Sequence, residues 1–196
     1  MLDGTIGESS DPLAQSQTMS VYFASDHHFG HSGARSLYRR PFASVTEMDR
    51  QMIARWNSVI KPEDEVWHLG DFAVRQSPER VGSLLSELLG QKHLIAGNND
   101  DAAVTACAGW ESVQPYAEIT LDGTRLILCH YPFRTWRDMG RGSINLHGHS
   151  HGRLKPQPRQ FDVGVDVWDF RPVQLMELVG KITPHRPKRA ATASAR

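Results

Sequence analysis

At 196 residues the chain has the size of one ordinary domain, long enough to bury a core without disulfides or a structural metal. Its composition, 39% hydrophobic and 22% charged, holds no apolar stretch of about 18 residues, which argues against a bilayer-spanning helix. Basic and acidic residues both total 22, so no cationic excess drives general nucleic-acid binding, and the two cysteines, Cys107 and Cys129, do not suit a secreted disulfide scaffold.

Residues 1–18 are polar and lack the apolar core of a secretory signal; they are expected to form a disordered extension, with Met19 as a candidate start and a reducing cytoplasm as the compartment. The apolar run Val21 to Ala24 has the character of a strand buried on both faces, ending in Asp26-His27-His28. Ser44 and Glu47 have capping-box spacing, and Met48, Met52, Ile53, Trp56 and Ile60 then follow a helical period until Lys61-Pro62. Glu65 to Leu69 is a second predicted strand, ending in Gly70-Asp71. Ser77 caps a second helix with Pro78 in its first turn, an apolar stripe through Val81, Leu84, Leu85, Leu88 and Leu89, and Gly90 as its stop.

His93 to Ala96 is a third strand, ending in Gly97-Asn98-Asn99-Asp100. A short helix is expected over Asp101 to Cys107, then strands over Ser112 to Thr120, Arg125 to Cys129, Ile144 to Leu146, Phe161 to Val167 and Val173 to Leu178. Phe133 to Ser143 has the composition of a rim loop, and residues 184–196 that of a flexible basic tail, which leaves one domain over 19–183. Alternating strands and helices followed by mostly strands predict an α/β fold, a two-sheet β-sandwich flanked by helices in four α/β/β/α layers.

Five segments place Asp, His or Asn at or near a predicted strand end: Asp26-x-His28, Gly70-Asp71, Gly97-Asn98-x-Asp100, His130 and Gly148-His149-x-His151. In an extended segment residues i and i+2 point the same way, so each D-x-H or H-x-H pair can converge on one cation cluster. Nitrogen and oxygen donors without a cysteine suit catalytic manganese, iron or zinc better than a structural zinc site.

In order and spacing these segments resemble the calcineurin-like metallophosphoesterase family, with its D-x-H, G-D, G-N-H-D/E, H and G-H-x-H elements. The resemblance spans Asp26 to His151 and implies a metal-dependent hydrolase of phosphate esters. It implies two divalent ions, manganese first and iron, zinc or nickel as alternatives. Asp26, His28 and His151 would hold one, Asn98, His130 and His149 the other, and Asp71 would bridge them. It also implies that the ions, roughly 3.5–4 Å apart, activate a bridging hydroxide and clamp the phosphate. The partner expected is a small phosphate ester or nucleotide, with no membrane or general nucleic-acid partner.

The chain departs from the family pattern at Asn99, where the family has a proton-donating histidine; Asn99 cannot act as an acid. Asn99, Asp100 and His31 are therefore the expected catalytic residues, with Asn99 bonding the phosphate and His31 or His27 taking over protonation. Relatives with a small residue here act on diesters, so a phosphodiester is the expected substrate. Val74 stands where tyrosinate-bearing members have tyrosine. A scaffold that binds a protein partner without catalysis is the rival reading, and the complete ligand set argues against it. His68 is read as a structural histidine, and Cys129 as a core residue. Asp162 and Asp166 are assigned to structural or supporting positions. For His147 a supporting position and partial exposure stay open. Arg35, Arg39, Arg40, Arg134, Arg137 and Arg141 could reach a phosphate at the rim as groups, while each taken singly is more commonly a solvated charge.

Overall fold

The computed structural model describes residues 19–180. The expected extension 1–18, tail 184–196 and domain end at 183 lie outside the described residues. In order, the elements are β1 (Val21–Ala24), α1 (Ala34–Leu37), α2 (Val45–Asn57), β2 (Glu65–His68), α3 (Pro78–Glu87), β3 (Gln91–Ile95), α4 (Ala102–Thr105), β4 (Ser112–Gln114), β5 (Tyr116–Leu121), β6 (Thr124–Cys129), β7 (Ile144–His147), β8 (Gln160–Asp162), β9 (Val173–Gln174) and α5 (Leu175–Gly180). Short 3₁₀ turns cover Met139–Arg141 and Val165–Val167.

Two sheets stack, as expected for this class. The first runs β4-β3-β2-β1-β9, parallel from β1 to β4 with β9 antiparallel at its edge. The second runs β5-β6-β7-β8, with β6, β7 and β8 parallel. Side chains of β1 to β3 alternate between two cores, because successive residues of a strand face opposite ways. Ala24, Val66 and Leu94 join Trp56, Met52, Leu84 and Leu88 under α2 and α3. Phe23, Trp67 and Ile95 join Leu126, Leu128 and Leu146 of the second sheet. The layer between the sheets is thus built on apolar side chains, with Glu65 and His93 beside Trp67 on the same face, and it fixes the distance between the two sets of strand ends.

Helix α2 begins as the capping residues dictate: Ser44 Oγ accepts from Glu47 N, while the Glu47 carboxylate accepts from Ala43 N. Ser77 caps α3 by accepting from Arg80 N. Among the described residues no helix is long and apolar enough to cross a membrane.

Four expected elements are corrected. The run Ser112 to Thr120 is two strands in different sheets, broken at Pro115, which has no N–H to continue the ladder. The helix expected over Asp101 to Cys107 covers only Ala102–Thr105, with Asp101 as its cap. Phe161 to Val167 is not one strand: β8 ends at Asp162, whose Oδ1 accepts from Gly164 N and turns the chain into a 3₁₀ turn. Val173 to Leu178 is a two-residue strand followed by helix. Glu177 accepts from Gln174 N at the start of α5, and the three-residue spacing buries Leu175 and Leu178 together.

Candidate metal centre

The segments after β1, β2, β3, β6 and β7 meet at one end of the sandwich. Asp26 N donates to Gly70 O at 2.9 Å and His28 N to Asp71 O at 3.0 Å, so the first two loops continue the strand pairing beyond the sheet. His149 N donates to Asp26 Oδ2 at 3.0 Å, and His130 Nδ1 donates to Leu69 O at 2.8 Å. These bonds stitch the two sheets together at the site. Gly70, at φ 90°, must be glycine, because a Cβ there would lie 2.6 Å from both Gly97 N and His130 Nδ1.

Convergence does not come from extended alternation, as the sequence pattern suggested. Asp26 (φ 60°), His28 (φ 53°), Asp71 (φ 57°), His149 (φ 66°) and His151 (φ 48°) all occupy the left-handed region. A non-glycine residue there carries roughly 1–3 kcal/mol of strain, and such residues cluster where a site demands them. The strand ends supply position, and the left-handed turns aim the side chains.

Two groups result, Asp26 with His28 and His151, and Asp71 with His130 and His149, each with its ligand atoms within 4.8 Å of one another. Asp71 stands between them. Its Oδ2 is 3.6 Å from His28 Nε2 and its Oδ1 is 3.5 Å from His130 Nε2. Asn98 Oδ1 lies 3.1 Å from His130 Nε2.

The donor set fits divalent cations. Because His130 Nδ1 donates to a carbonyl, its Nε2 presents a lone pair, and it faces the Asn98 carbonyl oxygen; a cation satisfies both acceptors. Both ring nitrogens of buried His28 lack a hydrogen-bond partner. Burial, followed by Arg40 and the neighbouring imidazoles, lowers the pKa of His28 to about 2, so the ring is neutral, the form that binds metal. Burial pushes the Asp26 carboxyl well above its ordinary pKa, against the bond from Ser25, and the charges of Asp162 and Asp71 add to the rise. A divalent ion would relieve both the desolvation and the repulsion.

A supporting shell holds these ligands. His151 Nδ1 donates to Asp166 Oδ2 at 2.7 Å, which leaves Nε2 for the cluster, 3.7 Å from Asp26 Oδ1. Arg40 grips Asp166 with two bonds of 2.8 Å and also donates to the carbonyls of Asp26 and His27. Arg40 is therefore an interior clamp and not the rim phosphate ligand expected. Arg35 Nε donates to Phe42 O, and Arg137 pairs with Glu118 and Asp138. Asp162 accepts from Ser150 Oγ, Gly152 N and Gly164 N, each at 2.7 Å, and so pins the 148–152 loop. Tyr38, which no sequence motif singles out, stacks on His151 with ring centroids 3.5 Å apart and on His28 at 5.3 Å.

The expected catalytic residues fall in three different settings. Asn99 bonds to Asp71, through its backbone N–H and its side-chain amide. Asp100 lies behind the site, where Oδ2 accepts from Asp71 N and Gly97 N and Oδ1 from Phe72 N, each at 2.8 Å. Burial raises its pKa to about 6 against those three bonds. His31 lines a cavity with Asn99, its ring 5.6 Å from that of His28. Burial, then Arg40 and Arg75, lowers the pKa of His31, a direction that disfavours the protonated form an acid needs at neutral pH.

His27 cannot reach a substrate. It is fully buried against Phe29 and Trp56, and its Nδ1 is 2.9 Å from Nε2 of His68, which is the structural histidine expected. His147 is buried and not partly exposed, and donates from Nδ1 to Gly148 O. Cys129 is buried, as expected.

Comparison with known proteins gives a consistent set of likenesses. The model of the calcineurin-like phosphoesterase superfamily domain matches residues 19–168. An uncharacterized protein of Methanocaldococcus jannaschii is 29% identical over 170 residues, 83% of this chain and 90% of that protein. The Gene 66 protein of Mycobacterium phage D29 is 32% identical over 197 residues, 83% of this chain and 97% of that protein. Among solved structures, a protein of unknown function from Aquifex aeolicus superposes with a TM-score of 0.66 at 22% identity, covering 84% of this chain and 100% of that one.

Proposed function

The chain belongs to the calcineurin-like phosphoesterase superfamily, and on that premise we propose that it hydrolyses a phosphodiester in preference to a monoester, with two divalent cations, manganese first, as cofactors. Asp26, His28 and His151 would hold one cation, Asn98, His130 and His149 the other, and Asp71 both. When bound, the cations supply an activated water and positive charge for the phosphate oxygens. The observation that carries this reading is the single Asp71 carboxylate, one oxygen 3.6 Å from His28 Nε2 and the other 3.5 Å from His130 Nε2.

The chain's own residues fix ligand geometry and set what the site lacks. Asp166 and the Leu69 carbonyl hold the tautomers of His151 and His130. Asn99 stands where the family has an acid, so no side chain there can protonate a poor leaving group, a step typically worth about 10²- to 10⁴-fold. Preference for a diester is supported by space: a cavity of about 350 Å³ borders Asn99 and leaves room for a second ester arm.

The test is turnover by metal-stripped protein with Mn²⁺ restored, on bis(4-nitrophenyl) phosphate and 4-nitrophenyl phosphate, with Asp71→Asn in parallel. Metal-dependent cleavage of the diester that disappears in Asp71→Asn is the expected result. Cleavage that survives Asp71→Asn overturns the shared-carboxylate mechanism, and faster cleavage of the monoester overturns the diester preference.

A further inference from the structure

We propose that the cavity beside Asn99 is a subsite for one arm of the ester, and that Arg75 there recognises a second phosphate carried on that arm. The inference rests on the phosphoesterase reading and gives it a substrate class, an ester with another phosphate group a short way along the chain.

Three observations carry it. First, the cavity opens from the metal centre itself. Asn99, which bonds Asp71, and His31, whose ring faces His28, are both in its wall. Second, its charge is unbalanced. Arg75 is the one Lys or Arg in the lining, and no Asp or Glu lines it. Arg40, Arg55, Arg80, Arg125, Arg137, Arg141 and Arg171 pair with carboxylates, whereas Arg75, like Arg39, Arg50, Arg134 and Arg159, makes no side-chain hydrogen bond or ion pair with any described residue, and of these five only Arg75 lines the cavity. An exposed guanidinium held at the mouth of a polar cavity offers a fork of donors whose geometry matches phosphate. Third, the wall presents further polar groups. His31 Nδ1 is buried without a partner, and Gln76 and Ser32 add an amide and a hydroxyl. No Phe, Tyr or Trp lines the cavity, and its one aromatic ring is that of His31, so the lining is mostly polar and suits a sugar or alkyl phosphate.

Arg75 is also held at φ 54° in the left-handed region, directly after the Asp71 to Val74 segment that continues the first sheet. At this turn Arg75 lines the cavity.

The experiment compares binding of thymidine 5′-phosphate and thymidine 3′,5′-bisphosphate to the Mn²⁺-loaded full chain by titration calorimetry, in the wild type and in Arg75→Ala, Arg75→Lys and Arg50→Ala. The wild type is expected to bind the bisphosphate about tenfold tighter, the order of one charge-assisted contact. Arg75→Ala brings the ratio close to one, Arg75→Lys keeps part of it, and Arg50→Ala, on α2 and outside this cavity, keeps all of it. Equal binding of the two nucleotides by the wild type, no measurable binding of the bisphosphate, or a ratio that Arg75→Ala leaves intact overturns the subsite. Turnover of bis(4-nitrophenyl) phosphate is read on the same preparation. Its absence with the ratio intact counts against the phosphoesterase reading alone, and its presence with the ratio lost counts against the subsite alone.

Discussion

Asn99 holds both carboxylate oxygens of Asp71: its backbone N–H donates to Oδ1 at 2.9 Å and its side-chain amide donates to Oδ2 at 2.7 Å. The residue that replaces the family's acid is thus a positioning group for the carboxylate shared by the two clusters. It follows that Asn99→Ala folds but loses Mn²⁺ affinity, by about tenfold to a hundredfold as for other groups that orient a ligand. Metal titration by calorimetry checks this. Asn99→His restores an imidazole at the same place and is expected to speed cleavage of an alkyl ester more than of a nitrophenyl ester, since proton donation helps poor leaving groups most. Equal effects on the two esters would show that leaving-group protonation is not what the asparagine lacks.

Gly148 has no room for a side chain: a Cβ there would lie 2.4 Å from Ser25 Oγ and 2.6 Å from Asp26 Oδ2. That pair is itself fixed, because Ser25 Oγ donates to Asp26 Oδ2 at 2.7 Å and His149 N donates to the same carboxylate. Gly148→Ala must therefore move Asp26 at a cost of about 1–3 kcal/mol, as for other overpacked sites. Thermal unfolding should show the loss. If the wild type binds two cations as proposed, mass spectrometry under native conditions should show one per chain in the variant, because only the cluster built on Asp26 is disturbed. Retention of both cations would contradict this account.

Asp166 links a metal-facing histidine to a buried cation. His151 Nδ1 and two nitrogens of Arg40 all donate to it, and the Arg40 side chain is 0% exposed. Asp166→Asn leaves that guanidinium without its countercharge, which for a buried pair costs about 3–5 kcal/mol, and it frees the His151 ring to turn. Denaturant unfolding and Mn²⁺ titration should both fall. Adding Arg40→Met to Asp166→Asn is expected to restore part of the stability and none of the metal affinity. Recovery of both together would mean that Asp166 acts on the site only through the fold.

That these Asp and His side chains cluster was readable in the sequence because each follows a short apolar strand, whereas which of them would hold a cation came from the family resemblance alone. How the ligands converge was not readable. Asp and His tolerate positive φ better than most residues, but nothing in the local sequence marks Asp26, His28 and His151 for it, and Asp26 and His28 are held there by bonds to Gly70 and Asp71 far along the chain. Arg40 pairs with Asp166 across 126 positions of sequence, and Tyr38 meets His151 only in the folded chain, so no local pattern marks either. Phe161 to Val167 misled for the opposite reason. Its side chains suit a strand, and one aspartate hydrogen bond to Gly164 N ends it.

Asp49 gives a pH test that does not touch the cation ligands. It lies on α2, and Gly30 N donates to both of its carboxylate oxygens at 3.1 Å. Burial raises its pKa above the ordinary 3.8, and the Gly30 bond, Arg80 and Arg40 offset that rise only in part. The native state then holds this proton more tightly than the unfolded chain, so stability contributed here is full below pH 3.8 and declines as pH rises through the raised value. At neutral pH the buried charge is a standing cost. Asp49→Asn keeps an oxygen for Gly30 N and removes the charge. It should therefore be more stable than the wild type at pH 7, and the advantage should vanish below pH 3.8, where both side chains are neutral. Urea unfolding of the metal-stripped proteins at the two pH values decides the matter. A gain that is the same at both would exclude titration of Asp49 as its source, and a loss at pH 7 would mean that the bonds from Gly30 and the arginine charges outweigh burial.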